Sequence, residues 1–313
     1  MASSCTSQFE NRMRPISGRQ IGNVRLMASP RSTSIVRHFV GYGVHLALRT
    51  RDRETATRIA SLELDAMLPT GCRQDNRLEH CEPVVRYDID VAPAHPAECK
   101  YTLSVGSEVV GSSNDLATVL RAFTMHAEFL IAQRATDHLF VHAGVVAWRG
   151  SAILMPGCSF AGKTTLVRTF LEEGATYYSD EYAVLDAAGR VNPYPRPLAV
   201  RCEIPSRTQL VPAEALGART GTEALPVHFV LVTTYCPGSR WRPRHLTQAQ
   251  ALLRLMANTV AAQGSPAHSM PILRQVVAHA RGLGGRRGDA IVVVKDLIRR
   301  VAEVTDRTPV TAC

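Results

Sequence analysis

Residues 157–164 read Gly-Cys-Ser-Phe-Ala-Gly-Lys-Thr, the spacing G-x-x-x-x-G-K-[ST] of a phosphate-cradling loop, or P-loop. The flanks constrain the fold further. Residues 151–155 form a short apolar run that reads as a buried strand. Residues 165–173 set Leu166 and Phe170 on one helical face, and Gly174 follows as a helix stop. A strand delivering a glycine loop into a helix aims backbone N–H groups and the positive end of the helix at one point, where an anion fits. In that arrangement Lys163 reaches nucleotide β/γ-phosphates and the Thr164 hydroxyl serves Mg²⁺. Gly157, Cys158, Ser159, Phe160, Ala161, Gly162 and Thr165 complete the candidate nucleotide-binding segment. A plain glycine turn between strand and helix is the alternative reading.

The formal charge of +9 suggests a polyanion partner, but its distribution argues otherwise. Residues 1–40 carry six arginines against Glu10 alone, a local +5, which leaves +4 for the rest. A mildly basic body suits nucleotide phosphates. No nucleic-acid-reading motif accompanies the charge, so no specific nucleic-acid partner is expected. The eight cysteines form no C-x-x-C pair, so zinc spacing is absent. Nothing signals secretion, and a reduced, cytoplasmic setting is expected. No apolar run reaches the ~18 residues of a membrane span.

Along the chain, residues 1–38 read as a Ser- and Arg-rich tail, with a transit peptide as the alternative. Structure is expected from Phe39. Residues 41–49 alternate like a strand, Asp52 caps a helix reaching Leu64, and residues 83–91 form another strand. Gly106-Ser107 marks a hairpin. Asn114-Asp115 opens a helix to Arg134. Residues 139–148 form a strand that turns at Arg149-Gly150 into the strand before the loop. Asp180 and Glu181 then interrupt a strand-like run over residues 175–185. Buried-strand carboxylates are costly unless paired, hydrated or metal-bound. Residues 227–235 read as a buried strand with no acidic residue at its end, unlike the magnesium-linked strand of motor NTPases. Helices are expected over residues 247–260 and 271–280, a flexible Gly/Arg turn over 282–288, a last strand over 290–294 and a last helix over 296–304. Arg196 or Arg201 is a candidate for neutralising a phosphate or an acidic acceptor.

Taken together, His142-Ala143, the loop at 157–164 and Ser179-Asp180-Glu181 resemble the catalytic domain of the HPr kinase/phosphorylase family, over roughly residues 138–203. The resemblance implies an α/β fold: a P-loop domain of the HPr-kinase/phosphoenolpyruvate-carboxykinase type, with a smaller N-terminal α/β region. The expected organisation is a tail at 1–38, an N-terminal region at 39–137 that serves as a possible recognition lobe, a kinase-like domain at 138–304 and a tail at 305–313. The resemblance further implies ATP and Mg²⁺ as cofactors. Asp180 matches the catalytic carboxylate that deprotonates a seryl hydroxyl, Lys163 the phosphate-binding lysine, and His142 the histidine beside the site. Thr164, Asp180, Glu181 and the weaker match Glu203 are the implied metal-side residues. The departures are Phe160-Ala161 and Thr164-Thr165 in the loop, and Pro205-Ser206-Arg207 where the family has a glycine-rich signature tied to HPr binding. HPr itself is therefore not the expected acceptor.

The expected activity is ATP- and Mg²⁺-dependent phosphoryl transfer to a hydroxyl, a serine of a protein or peptide. The alternatives are a nucleotide-binding regulatory module without transfer and a small-molecule kinase. A homo-oligomer is left open.

Overall fold

The structure, a computed structural model, describes residues 34–305 except 63, 96–97, 158–161, 202–207 and 261–264. Strand β1 (Ile35–Gly41) pairs with β2 (Val44–Thr50) in an antiparallel hairpin. The alternation over residues 41–49 predicts one strand; the chain makes two. Tyr42 and Gly43 take positive φ (51° and 77°) and fold β1 back on β2, the backbone that suits a two-residue hairpin turn. Helix α1 (Arg53–Ser61) starts at Asp52, whose carboxylate accepts from Thr55 N at 2.7 Å. Strands β3 (Arg73–Gln74), β4 (Val85–His95), β5 (Glu98–Val105) and β6 (Glu108–Ser113) complete a sheet ordered β3-β1-β2-β4-β5-β6. Helix α2 (Leu116–Arg134) is capped by Asp115, as the sequence predicts. It lays Leu120, Phe123 and Ile131 on Phe39, Tyr87 and Leu103 of that sheet.

The second sheet begins with β7 (Leu139–Trp148) and β8 (Ser151–Pro156), joined through Arg149 and Gly150 at φ 48° and 73°. There follow α3 (Lys163–Glu172), β9 (Thr176–Ser179), β10 (Tyr182–Leu185), β11 (Arg190–Asn192), β12 (Leu198–Arg201), β13 (Thr208–Val211), β14 (Leu225–Tyr235), β15 (Arg244–Leu246), α4 (Gln248–Met256), α5 (Pro266–His279), β16 (Arg281–Arg287) and α6 (Ala290–Thr305). The strand order is β11-β10-β7-β8-β14-β16-β15, and β9 also pairs with β7. Within it, β8, β14 and β16 run parallel. Helices α3 and α6 cover one face, through Leu166, Phe170, Val294 and Leu297. Helices α4 and α5 cover the other, through Ala251, Leu255, Leu273 and Val276. Both faces are covered, as a sheet with a parallel centre requires. The chain is thus mixed α/β with more than one sheet. The core under the first sheet continues into Phe140 of β7, Tyr182 and Val184 of β10, and Tyr194.

Two expectations fail near the C-terminus. Residues 282–288 are not a flexible turn: 282–287 lie within β16, which pairs with β14 over Phe229–Tyr235. A Cβ at Gly282 would stand 2.8 Å from Leu246 Cβ, and one at Gly285 would stand 3.1 Å from the Trp241 ring. Close packing, not strand propensity, selects this composition. Residues 290–294 are not a strand either; they form the first turns of α6. Val293, Val294, Leu297 and Val301 are all buried, a helical spacing that overrides the β-branched preference.

Candidate functional site

The site is built around the middle of β7. On one side β8 pairs so that Ala143 faces Pro156, and Gly157 N donates to His142 O at 3.2 Å. On the other side β10 and β9 pair with successive stretches of β7. Between them the chain steps out at Asp180-Glu181. Ala143 N donates to Glu181 O at 3.1 Å, which holds that step against the strand. Residues 142–144 therefore separate the start of the glycine loop from the two carboxylates. Gly144 allows α3 to approach this point, since a Cβ there would lie 2.7 Å from Val167 Cγ2.

Helix α3 opens at Gly162 with φ 80°, a backbone that glycine adopts without strain. Lys163 follows, buried, its Nζ donating to Gly157 O at 2.7 Å. That bond ties the two ends of the loop together. Thr164 Oγ1 donates to Asp180 Oδ2 at 2.7 Å. Asp180 is 9% exposed, and its Oδ1 is buried with no hydrogen-bond partner among the described residues. Burial raises the Asp180 carboxyl to about 6, against the Thr164 hydrogen bond and the Lys163 charge, which both pull it down; Glu181 adds to the rise. Glu181 itself is partly open, its side chain 40% exposed.

His142 Nδ1 lies 2.7 Å from Glu181 O. A carbonyl only accepts, so Nδ1 carries the proton and Nε2 is left as the basic nitrogen. Nε2 stands 3.7 Å from Glu181 Oε1. Burial and then the Lys163 charge lower the His142 pKa, opposed by Glu181. The imidazole is neutral at physiological pH.

The structure thus brings Gly157, Gly162, Lys163, Thr164, His142, Asp180 and Glu181 together. Thr165 faces outward on α3 and is exposed. Cys158, Ser159, Phe160, Ala161 and Glu203 lie outside the described residues, so nothing is placed there. Arg196, a candidate for neutralising phosphate, is instead ion-paired with Glu128 of α2. Tyr194 Oη donates to the same carboxylate at 2.7 Å. That pair compensates a buried Glu128 and is spoken for.

A magnesium ion keeps several waters and needs one or two protein oxygens beside substrate phosphates. The Thr164 hydroxyl oxygen, which keeps its lone pairs while donating to Asp180, fits that requirement. Among the described residues no group of three or more His, Cys, Asp or Glu is placed to hold a metal ion by itself. No helix among them is long and apolar enough to cross a membrane.

One residue that sequence reasoning missed also reaches the site. Arg287, the last residue of β16, is 2% exposed. Its Nη2 donates to Gly162 O at 3.0 Å. Residues 286–287 carry no motif, and the glycines before them read as a turn; only the parallel pairing of β16 with β14 reveals the position.

No family model matches the chain, and no curated protein does. Among solved structures, it is similar to the HPr(Ser) kinase/phosphatase from Coxiella burnetii at 10% identity and a TM-score of 0.32, over 54% of this chain and 99% of that one. The likeness is distant and remains at the level of the fold.

Proposed function

We propose that the chain is an ATP- and Mg²⁺-dependent phosphotransferase whose acceptor is a hydroxyl, a serine of a protein or peptide. The observation that carries the reading is the Thr164–Asp180 contact at 2.7 Å, directly after a loop of P-loop spacing. A hydroxyl and a carboxylate meet at the start of a helix whose N–H groups point toward an anion. The metal, when bound, would neutralise charge on the phosphates.

The protein's own groups supply the rest. Gly162 and the first amides of α3 bind phosphate oxygens. Lys163, held at the loop, contributes a fixed cation. Asp180 has one oxygen held by Thr164 and the other without a partner among the described residues. With its carboxyl raised to about 6, it sits close to the range where a general base is efficient at neutral pH. It accepts the acceptor's hydroxyl proton. Neutral His142 backs Glu181 and fixes the step that carries both carboxylates. Phosphoryl transfer relies on such positioning and charge more than on covalent chemistry. Residues 39–137 are assigned acceptor recognition, because their core runs on into Phe140 and Tyr182 beside the site.

The test is calorimetric titration of the full chain with Mg·ATP, followed by incubation with γ-labelled ATP and a serine-containing peptide library. Saturable binding, lost in Lys163→Ala, together with label transfer that Asp180→Asn abolishes, supports the proposal. Binding that persists without any transfer, in Asp180→Asn and wild type alike, would point to a nucleotide-binding regulatory module. A folded wild type that ignores Mg·ATP removes the nucleotide reading altogether.

A further inference from the structure

Arg287 is buried but has no counterion among the described residues. Its Nη1 donates to Gly288 O at 3.2 Å and its Nη2 to Gly162 O at 3.0 Å. Its Nε has no hydrogen-bond partner among the described residues, and the guanidinium lies 5.3 Å from the Tyr235 ring centroid. Its partners among the described residues are thus two carbonyls and a ring. A buried cation left to such partners is costly. Arginine keeps its proton in proteins, so this group does not escape by neutralising. The missing partner is an anion.

Its position says which anion. Arg287, Tyr235 and Pro156 are the last residues of β16, β14 and β8, three neighbouring parallel strands. Ligands of α/β sheets bind outside the carboxyl ends of such strands. From there Arg287 spans the end of β14 to reach the first residue of the loop-helix junction. The approach is tight: a Cβ at Gly162 would lie 2.2 Å from Arg287 Nη2. The loop's glycine at 162 is therefore required by its left-handed φ, and a side chain there would also push the guanidinium off its seat.

We propose that Arg287 is a second fixed cation of the phosphate site, binding the phosphate chain held by the loop alongside Lys163. The proposal rests on the nucleotide reading given above. It makes Arg287 a ligand-binding residue, supplied by a strand far along the chain and invisible to the loop motif.

The experiment uses the full chain and two probes, inorganic pyrophosphate and Mg·ATP, with calorimetry and thermal melting of wild type, Lys163→Ala, Arg287→Met and Arg287→Lys. Replacing a buried uncompensated charge by an apolar side chain of similar length is neutral or stabilising without ligand. Arg287→Met is therefore expected to melt at or above the wild-type temperature alone. It is also expected to bind pyrophosphate about tenfold or more weakly, the loss of one charge-assisted contact, with little ligand-induced shift.

If Arg287→Met binds pyrophosphate like wild type, Arg287 is no ligand-binding residue. The same holds if it melts well below wild type while keeping the full ligand shift; Arg287 is then a brace. Should the methionine variant fail to fold, Arg287→Lys decides: weakened binding with unchanged melting supports the proposal, and unchanged binding overturns it. A wild type that binds neither probe overturns the nucleotide reading and this proposal together. Binding lost in Lys163→Ala but intact in the folded Arg287 variants overturns only the role of Arg287.

Discussion

Thr164 Oγ1 donates to Asp180 Oδ2 at 2.7 Å, joining the first turn of the helix after the glycine loop to the step between β9 and β10. The bond leaves the other Asp180 oxygen buried and unshared among the described residues. Its consequence is a pH dependence. The folded pKa of Asp180 is about 6, above its ordinary 3.8. A carboxyl raised in this way is favoured when protonated. It costs nothing below about pH 4, and the cost grows as pH rises toward 6. At one pKa unit per 1.36 kcal/mol the full cost at neutral pH is about 3 kcal/mol. Asp180→Asn should therefore raise ligand-free stability at pH 7 by up to that amount, with no gain at pH 4. Urea unfolding at the two pH values measures it; equal effects at both would mean that Asp180 titrates normally.

Lys163→Ala should leave the fold intact and weaken Mg·ATP binding by roughly ten- to a hundredfold, the worth of a charge-assisted contact to phosphate. The Nζ bond to Gly157 O is lost as well, so a modest drop in melting temperature accompanies it. Calorimetry gives the first quantity and a thermal melt the second. Unchanged affinity would take Lys163 out of the site.

His142 should stay neutral through physiological pH, with its proton on Nδ1. Burial and the neighbouring Lys163 both push its pKa below 6.5. Nitrogen-15 NMR reads tautomer and midpoint directly. An Nε2–H tautomer would contradict the bond to the Glu181 carbonyl, and a midpoint above 6.5 would contradict the lead of burial and the Lys163 charge over Glu181.

Glu128 and Arg196 form an ion pair whose carboxylate is buried. Glu128→Met or Arg196→Met alone should destabilise by about 3 kcal/mol, since each leaves its charged partner unmatched. Glu128→Met with Arg196→Met should recover most of that. A double-mutant cycle in urea shows whether the pair is coupled; additive losses would argue that Tyr194 alone satisfies Glu128.

Gly284→Val should cost about 1–3 kcal/mol by overpacking. A Cβ at this position stands 3.0 Å from Leu246 Cδ2. Leu246→Ala made in the same chain should offset part of the loss, measured by chemical unfolding. No offset would place the strain in the backbone of β16.

The helices and hairpins up to Leu185 were largely legible because local rules decide them. Asp52 and Asp115 are side-chain caps, Arg149-Gly150 takes the turn its glycine suggests, and β7 spans the very residues whose apolar run marks it. The grouping of the loop with Asp180 and Glu181 came from the resemblance of that ordered set to the HPr kinase/phosphorylase family, not from a local rule. Legibility ends where distant packing decides. The glycines of β16 carry no strand signal because Leu246 and Trp241 occupy the space of their side chains. The valines at 292–294 read as β because the burial of Val293 and Val294 against α3 is not a local property. Arg196 read as a phosphate partner because Glu128, 68 positions away, cannot be matched to it from sequence. Arg287 was hidden for the same reason, lying 125 positions from the glycine it contacts.

That separation has a kinetic meaning. The loop ends, Lys163, Thr164, His142 and both carboxylates come from one contiguous stretch between β7 and β10, so their contacts close short loops and form readily. Arg287 joins only after β14 has been laid beside β8 and β16 beside β14. During synthesis, the residues of the cradle therefore emerge before Arg287 does. On the proposal that Arg287 is the second cation of the phosphate site, a nascent or C-terminally clipped chain ending before β16 would carry the loop without that cation, and would gain its full hold on phosphate only when the final strand docks.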